Sequence, residues 1–330
     1  MFVLLTYPIT SLVDYNYKIT YFLWHIHLFC LILYENPNRQ RQMHLYSALA
    51  LAGILMFIEG KKMLNFISFG SGSSGNCYYI YTQNSGLLID VGVGTRSLKK
   101  AFHDYGLRFV DGFDGILVTH DHADHIKSVG SLSKKFNLPV YATGTVHAGM
   151  DRNYCMRCKL AQSNRMKVVK GESFDVGDFH ITPFDVPHDS SDNVGYLIEA
   201  DGIVFCLLTD VGAITDEMKQ LISRADYLVI EANYDPQMLE AGPYPRYLKD
   251  RIRNGHGHLS NVQCAQALAA NLTDRLKHIW LCHLSQENNK PELALATVCR
   301  TLEDAGIRVG EDVKVEALRR TLPTGIFSLT

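Results

Sequence analysis

Residues 116–125, Ile-Leu-Val-Thr-His-Asp-His-Ala-Asp-His, set four metal-capable side chains within six positions, directly after an apolar run. Ile116, Leu117, Val118 and Thr119 are apolar or β-branched and predict a buried strand. Imidazole and carboxylate are the ligands of borderline cations such as zinc. A strand ending in a turn can aim His120, His122, Asp124 and His125 at one small volume. His120 and His122, two apart, can grip one ion, and the adjacent Asp124 and His125 can reach a second. The alternative is a polar loop that is merely rich in histidine. Chance rarely sets four potential ligands at the end of an apolar strand.

The chain's 330 residues allow one large domain or two modest ones. With 47% hydrophobic and 20% charged residues it can bury a core and is not globally disordered. A net charge of −2 gives no overall basic field for nucleic acid, although a local basic groove stays possible. The eight cysteines are scattered, and a chain this long needs no disulfide framework, so a reducing, cytoplasmic setting is the simpler expectation. Cys155 and Cys158 form the one close pair. A four-thiolate zinc site would need a second pair, which leaves a redox role or two unrelated thiols.

Residues 1–62 differ from the rest. They hold two apolar runs, Ile19–Tyr34 and Leu45–Ile58, of sixteen and fourteen residues. Both fall short of the ~20 that a spanning helix needs. Three readings stand: a membrane hairpin, a helix pair lying on the domain, or translation starting at Met63. The third is favoured, because Met63-Leu-Asn-Phe-Ile-Ser-Phe opens directly with a strand. The expected organisation is therefore an atypical hydrophobic extension over 1–62 and a domain over 63–330.

From Met63 the patterning predicts strands at Phe66–Phe69, Cys77–Tyr81, Leu87–Asp90, Val140–Ala142, Lys167–Val169, Phe179–Asp185, Val194–Glu199, Ile203–Leu208, Tyr227–Glu231, His278–Cys282 and Val313–Glu316. It predicts helices at Arg96–Tyr105, Lys127–Phe136, Thr145–Tyr154, Thr215–Ile222, Asn261–Ala270 (capped by Ser260 or Asn261) and Pro291–Ala305. Two sheets packed face to face with helices outside fit this order better than regular βαβ alternation. Asp90, His188, Asp210 and His283 each stand at or near the carboxyl end of a separate apolar run. One such histidine is ordinarily a satisfied core residue; the set, joined to 116–125, is not easily accidental.

His120-x-His122-x-Asp124-His125 resembles the signature of the metallo-β-lactamase-fold hydrolases, and Asp90, His188, Asp210 and His283 fall in the order of that superfamily's remaining motifs. Within it the chain is most similar to the YycJ (WalJ)-like, nuclease-type branch, through Phe69–Asn76, Val186–Asp189, Glu231–Asp235, Gly255–Asn261 and Cys282–Asn289. The resemblance runs from Met63 to about Thr330. It implies an α+β fold, an αββα four-layer sandwich with the metal cleft at the edge of the two sheets. It further implies that His120, His122 and His188 hold one metal, that Asp124, His125 and His283 hold the other, and that Asp210 bridges them. Asp90 would stand behind the ligands and fix an imidazole tautomer.

Two divalent ions, zinc with manganese as rival, would lower the pKa of a bridging water and present hydroxide at neutral pH. Asp124 and Asp210 then count as catalytic as well as ligating. His258 is the candidate to contact a scissile phosphate or protonate a leaving group, or else it caps the helix at Asn261; His256 is the weaker candidate. Arg246, Lys249, Arg251 and Arg253 recur at helical spacing and would hold a phosphate backbone, or form a solvated face. Within Gly70–Asn76, Ser74 and Asn76 would help to cradle a phosphate, or the segment merely connects strands. Glu231 belongs behind the metals. The expected function is a dinuclear metal-dependent phosphodiesterase acting on DNA or RNA. The alternatives are hydrolysis of another ester, thioester or lactam, or a low-turnover metal-binding regulator, with membrane contact through 1–62 not favoured.

Overall fold

The structure, a computed structural model, describes residues 63–109 and 112–330. The expectations for residues 1–62 lie outside the described residues. The first strand, β1 (Leu64–Gly70), is buried along its whole length. Its alternation still has meaning, because Leu64 and Phe66 point into one apolar layer and Ile67 and Phe69 into another. Both faces of the sheet are therefore covered, which explains why apolar residues stand on both faces of the strand and why even Asn65 and Ser68 are buried.

Two seven-stranded mixed sheets follow from that arrangement. In the first, β1 is flanked by β14 (Phe327–Leu329) and β2 (Cys77–Tyr81), and the order continues through β3 (Gly86–Ile89), β4 (Gly115–Leu117), β5 (Val140–Thr143) and β6 (Arg165–Val168). The second runs β13 (Lys314–Ala317), β12 (His278–Cys282), β11 (Tyr227–Glu231), β10 (Ile203–Leu208), β9 (Val194–Ala200), β8 (Phe179–Asp185) and β7 (Phe174–Val176). Phe66 spans the sheets, its ring 5.1 Å from Phe205 and 4.8 Å from Trp280. Outside the first sheet pack α1 (Thr95–Asp104), α3 (Val129–Phe136) and α4 (Gly144–Arg152); outside the second pack α5 (Asp216–Arg224), α8 (Asn261–Asn271) and α9 (Pro291–Asp304). The expected αββα sandwich is the observed one.

Local differences have local causes. The helix expected over Lys127–Phe136 is α3, starting at Val129, and a short helix not anticipated, α2 (Ala123–Ile126), precedes it; the two are separate because the amide of Ser128 donates to the Val91 carbonyl at 2.8 Å and its hydroxyl to that of Val93 at 2.7 Å. Those bonds take Ser128 out of a continuous helical ladder. The cap of α8 is Ser260, within a reciprocal capping box with Gln263. Strands β7 and β14 were not anticipated, and neither was the helix α6 (Pro236–Ala241); α7 (Arg246–Arg253) occupies the basic run. The seven cysteines among the described residues are free.

Candidate metal centre

Strand ends build the centre, and the backbone bends sharply where they do so. Asp90 at the end of β3, Asp210 after β10 and His283 after β12 all adopt left-handed backbone, with φ of 56°, 54° and 52°. This conformation is uncommon outside glycine and costs on the order of 1–3 kcal/mol per residue. Three such residues around one cleft point to a geometry that the surrounding fold enforces. Gly92 allows the closest approach. A Cβ there would lie 1.6 Å from the carbonyl oxygen of Asp124, which instead accepts the Asn76 amide at 2.7 Å.

The donors fall into groups. Donor atoms of His120, His122 and His188 lie within 4.8 Å of one another, and so do those of Asp124, His125 and His283. Asp210 stands between the two sets: Oδ2 is 3.2 Å from His125 Nε2, and Oδ1 is 3.7 Å from His188 Nε2 and 3.4 Å from His283 Nδ1. A further grouping joins Asp210 to Glu231, His258 and His283. Glu231 and His258, which the sequence assigned to separate tasks, thus meet directly.

Outer contacts orient the rings. His125 Nδ1 lies 2.7 Å from Asp90 Oδ2, and His188 Nδ1 lies 2.9 Å from the Gly257 carbonyl. Each partner only accepts, so each Nδ1 carries a proton and each Nε2 is the nitrogen left to serve as a ligand. Asp90 also accepts the amide and hydroxyl of Thr119. His120 Nε2 is buried with no hydrogen-bond partner, an arrangement that ordinarily costs a few kcal/mol unless a ligand completes it.

The charge balance tells the same story. Among the described residues, the ion-pair partners of Asp90, Asp124, Asp210 and Glu231 are all histidines, with no lysine or arginine. Burial by itself would raise the Asp210 carboxyl, but the imidazoles around it, His283 and His125 foremost, hold it well below the usual range. Burial also opposes a charged His125, yet Asp210, Asp90 and Asp124 outweigh it and hold the ring well above its usual value. His120 is pushed well below by burial and by its neighbour His125. Buried carboxylates whose ion-pair partners are imidazoles alone fit divalent cations, which would take the place of the protons that those rings hold.

A cleft of about 270 Å3 opens onto these residues. Tyr244, Leu248 and Ile252, on and before α7, form a wall that the sequence did not signal. Arg251 lines the same cleft, its Nε paired with Asp189. Arg253 instead pairs with Glu240 at 2.6 Å, and Arg246 with Asp250 at 3.1 Å, so most of the basic run is neutralised within the chain. His258 lines the cleft with Nδ1 2.8 Å from Glu231, and His256 is exposed. Ser73 reaches the cleft, whereas Ser74 lines a neighbouring cavity of about 190 Å3 with Ser97 and Arg320. Asn76 is fully buried, its Nδ2 2.9 Å from His125 Nε2 and 3.2 Å from Asp124 Oδ2. It braces ligand candidates from beneath. Two contributors went unread: Asn233, whose amide donates to the His283 carbonyl at 2.8 Å, and Thr119, whose hydroxyl lies 3.0 Å from His120 Nδ1. Asn233 lay within Glu231–Asp235, a segment that carried the resemblance but was given no role.

Comparison with known proteins places this geometry. Residues 86–279 match the β-lactamase superfamily domain. The chain is 36% identical over 263 residues to an exodeoxyribonuclease, YycJ, of Bacillus anthracis, covering 80% of this chain and 98% of that protein. It is 38% identical over 246 residues to the exodeoxyribonuclease WalJ of Streptococcus pneumoniae, covering 74% and 90%. Its fold matches Zn2+-bound PqqB from Methylobacterium extorquens, with a TM-score of 0.61 at 17% identity over 79% of this chain and 99% of that one.

Proposed function

Given that the chain belongs to the metallo-β-lactamase superfamily of metal-dependent hydrolases, in the group of the YycJ and WalJ proteins, we propose that it is a DNA-directed phosphodiesterase that removes nucleotides from strand ends. The observation that carries this is Asp210, whose carboxylate reaches histidines of both sets beside an open cleft. DNA as substrate rests on the relatives, both named exodeoxyribonucleases.

His120, His122 and His188 would hold one divalent ion, Asp124, His125 and His283 the other, and Asp210 both. Zinc suits the imidazole-rich set, with manganese the rival. When bound, such ions activate a water and neutralise charge building on the phosphoryl oxygens. The chain's own groups do the rest. Asp90 and the Gly257 carbonyl hold the imidazoles of His125 and His188 in the ligating tautomer. Tyr244, Leu248 and Ile252 would shield one side of the cleft and align the strand end, so that water, giving up a proton to solvent, attacks phosphorus opposite the leaving oxygen. The phosphorus–oxygen bond breaks, and its electron pair goes to the leaving sugar oxygen. His258, its Nδ1 engaged by Glu231, turns Nε2 to that oxygen and supplies the proton.

We assign this activity to residues 63–330 and to the cytoplasm, where scattered free thiols stay reduced. The test is the purified protein with Zn2+ or Mn2+ on end-labelled single-stranded DNA, duplex DNA and RNA, alongside bis-p-nitrophenyl phosphate. Progressive shortening of DNA that disappears in Asp210→Ala is expected. Two bound metals with every one of these substrates left intact would end the proposal.

A further inference from the structure

The basic run of α7 is largely spent on Glu240, Asp250 and Asp189. A phosphate backbone approaching the cleft therefore needs other cations. Such cations stand at residues 152–159, where α4 ends, in a loop hydrogen-bonded to the segments that carry His120, His122 and His188. Arg152, Arg157 and Lys159 are all exposed, and none is ion-paired to a carboxylate among the described residues. Arg152 donates only to the Ser191 hydroxyl at 3.3 Å, and Lys159 to the carbonyls of Met150 and Asn153. The nearby carboxylates are already engaged. Asp151 takes the Arg165 guanidinium at 2.6 and 2.8 Å, and half-buried Asp121 takes the Ser191 amide and hydroxyl at 3.1 and 2.6 Å. Among these cations stands Tyr154, 89% exposed, the most exposed of the large apolar side chains described.

This loop is tied to the metal centre. Asp121 sits between His120 and His122, and its carbonyl accepts Asn153 Nδ2 at 2.8 Å. Ser191, which Arg152 contacts, lies three residues beyond His188. A strand whose scissile phosphate meets those histidines would next cross this loop. Unpaired cations beside an exposed aromatic ring match a single strand: phosphates meet the cations, and a base stacks on the ring without regard to sequence.

We propose that Arg152–Lys159 is the track for the single nucleic-acid strand that feeds the metal cleft, with Arg152, Arg157 and Lys159 on the phosphates and Tyr154 under a base. This rests on the phosphodiesterase function proposed above. The test measures kcat and KM on an end-labelled oligothymidylate over a series of salt concentrations, for the intact metal-loaded protein and for R152E/R157E, Tyr154→Ala and Arg300→Glu. Arg300 is an exposed residue of α9, 84% accessible, and controls for a charge reversal remote from the loop, one reversal against the two of R152E/R157E. Bis-p-nitrophenyl phosphate, which has no strand to lay across the loop, is followed in parallel. In R152E/R157E the oligonucleotide KM should rise about tenfold or more, and the logarithmic salt slope should fall by about 0.7 per lost contact. Tyr154→Ala should raise KM at least about fivefold. Hydrolysis of the small ester should stay within about twofold of the intact protein's in every variant. Oligonucleotide cleavage that is insensitive to R152E/R157E, or no more sensitive than to Arg300→Glu, overturns the track alone. Equal losses on both substrates also overturn it, by moving the effect to the metal centre. If the intact protein cleaves the small ester but not DNA, the phosphodiesterase assignment to DNA falls and the track falls with it.

Discussion

Glu231 Oε1 lies 2.8 Å from His258 Nδ1, and the other oxygen of the same buried carboxylate accepts the backbone amides of Val211 and Leu259 at 2.7 and 3.1 Å. Oε1 is also 3.0 Å from His283 Nδ1. One side chain thus orients two rings of the cleft and closes two backbone donors. Glu231→Gln keeps the shape but presents a donor or a neutral oxygen where the rings expect a carboxylate. Hydrolysis should fall about 10–100-fold, as when outer partners of metal sites are replaced. Glu231→Ala also strands both amides, and should cost about 3–5 kcal/mol in urea unfolding of the metal-loaded protein. Glutamine retaining more than half the rate would remove Glu231 from any orienting role.

Asp90 holds His125 from behind, and it does so from a left-handed position. Asp90→Ala should leave the sheet intact but free the ring to rotate. Metal affinity, read by competition with a chromophoric chelator, should weaken about 10–100-fold. Asp90→Asn should lie between the two, because its oxygen can still accept from Nδ1. An unchanged affinity in both variants would mean that Asp90 serves only Thr119.

The sequence made the ends of strands legible and their neighbours much less so. Apolar runs closing on Asp90, Asp210 and His283 could be read because chain order alone sets them. The partner of β1 could not: Phe66 pairs with Phe327 across the whole domain, and three residues at a chain end carry little pattern of their own. The basic run of α7 was visible as charge at helical spacing. Its neutralisation by Glu240 and Asp189 depends on where the helix docks, which spacing does not encode. Ser74 and Asn76 were read as one cradle, yet neighbouring residues of a tight loop face different ways. Ser74 turns to a side cavity while Asn76 is buried beneath Asp124 and His125.

Gly92 is predicted to be irreplaceable for steric reasons alone. A methyl group would meet the Asp124 carbonyl oxygen at 1.6 Å, and that oxygen is held by the Asn76 amide. Because the obstacle is backbone, relief requires moving the loop that carries Asp124 and His125. Gly92→Ala should cost at least about 1–3 kcal/mol and lower metal occupancy together with stability. A variant with wild-type metal content and urea midpoint would refute the close approach.

His278 offers a pH test away from the metals. It is 8% exposed and stacks on Trp280 at 4.2 Å, with Lys314 on the neighbouring strand, Phe327 against its ring and Glu316 3.3 Å from its Nε2. Burial, then Lys314, lowers its pKa to about 4. Between that value and the unfolded value of about 6.5 the unfolded chain binds the proton and the folded one does not. The contribution to stability is thus complete above about pH 6.5 and is lost as the pH falls toward 4, by at most about 3 kcal/mol. His278→Phe keeps the stacked ring without the titration. Urea midpoints should therefore fall less between pH 7.5 and 4.5 in the variant than in the wild type; equal falls would refute the assignment.

Metal removal should expose the charge imbalance of the site directly. Among the described residues Asp90, Asp124, Asp210 and Glu231 form ion pairs with histidines alone, so without cations the buried cluster must hold protons on some imidazoles to balance them. Stripping the protein with a chelator should abolish hydrolysis and lower the unfolding temperature. A ligand present at about 100 times its Kd contributes about 2.7 kcal/mol per site. Restoration with Zn2+ or Mn2+ should return both properties, and proton release should accompany binding as the imidazoles give up their protons. The two donor sets should separate on mutation. His122→Ala and His283→Ala should each retain about one ion per chain by atomic absorption, and Asp210→Ala should weaken both. Two tightly bound ions surviving in Asp210→Ala would contradict a shared carboxylate between the sets.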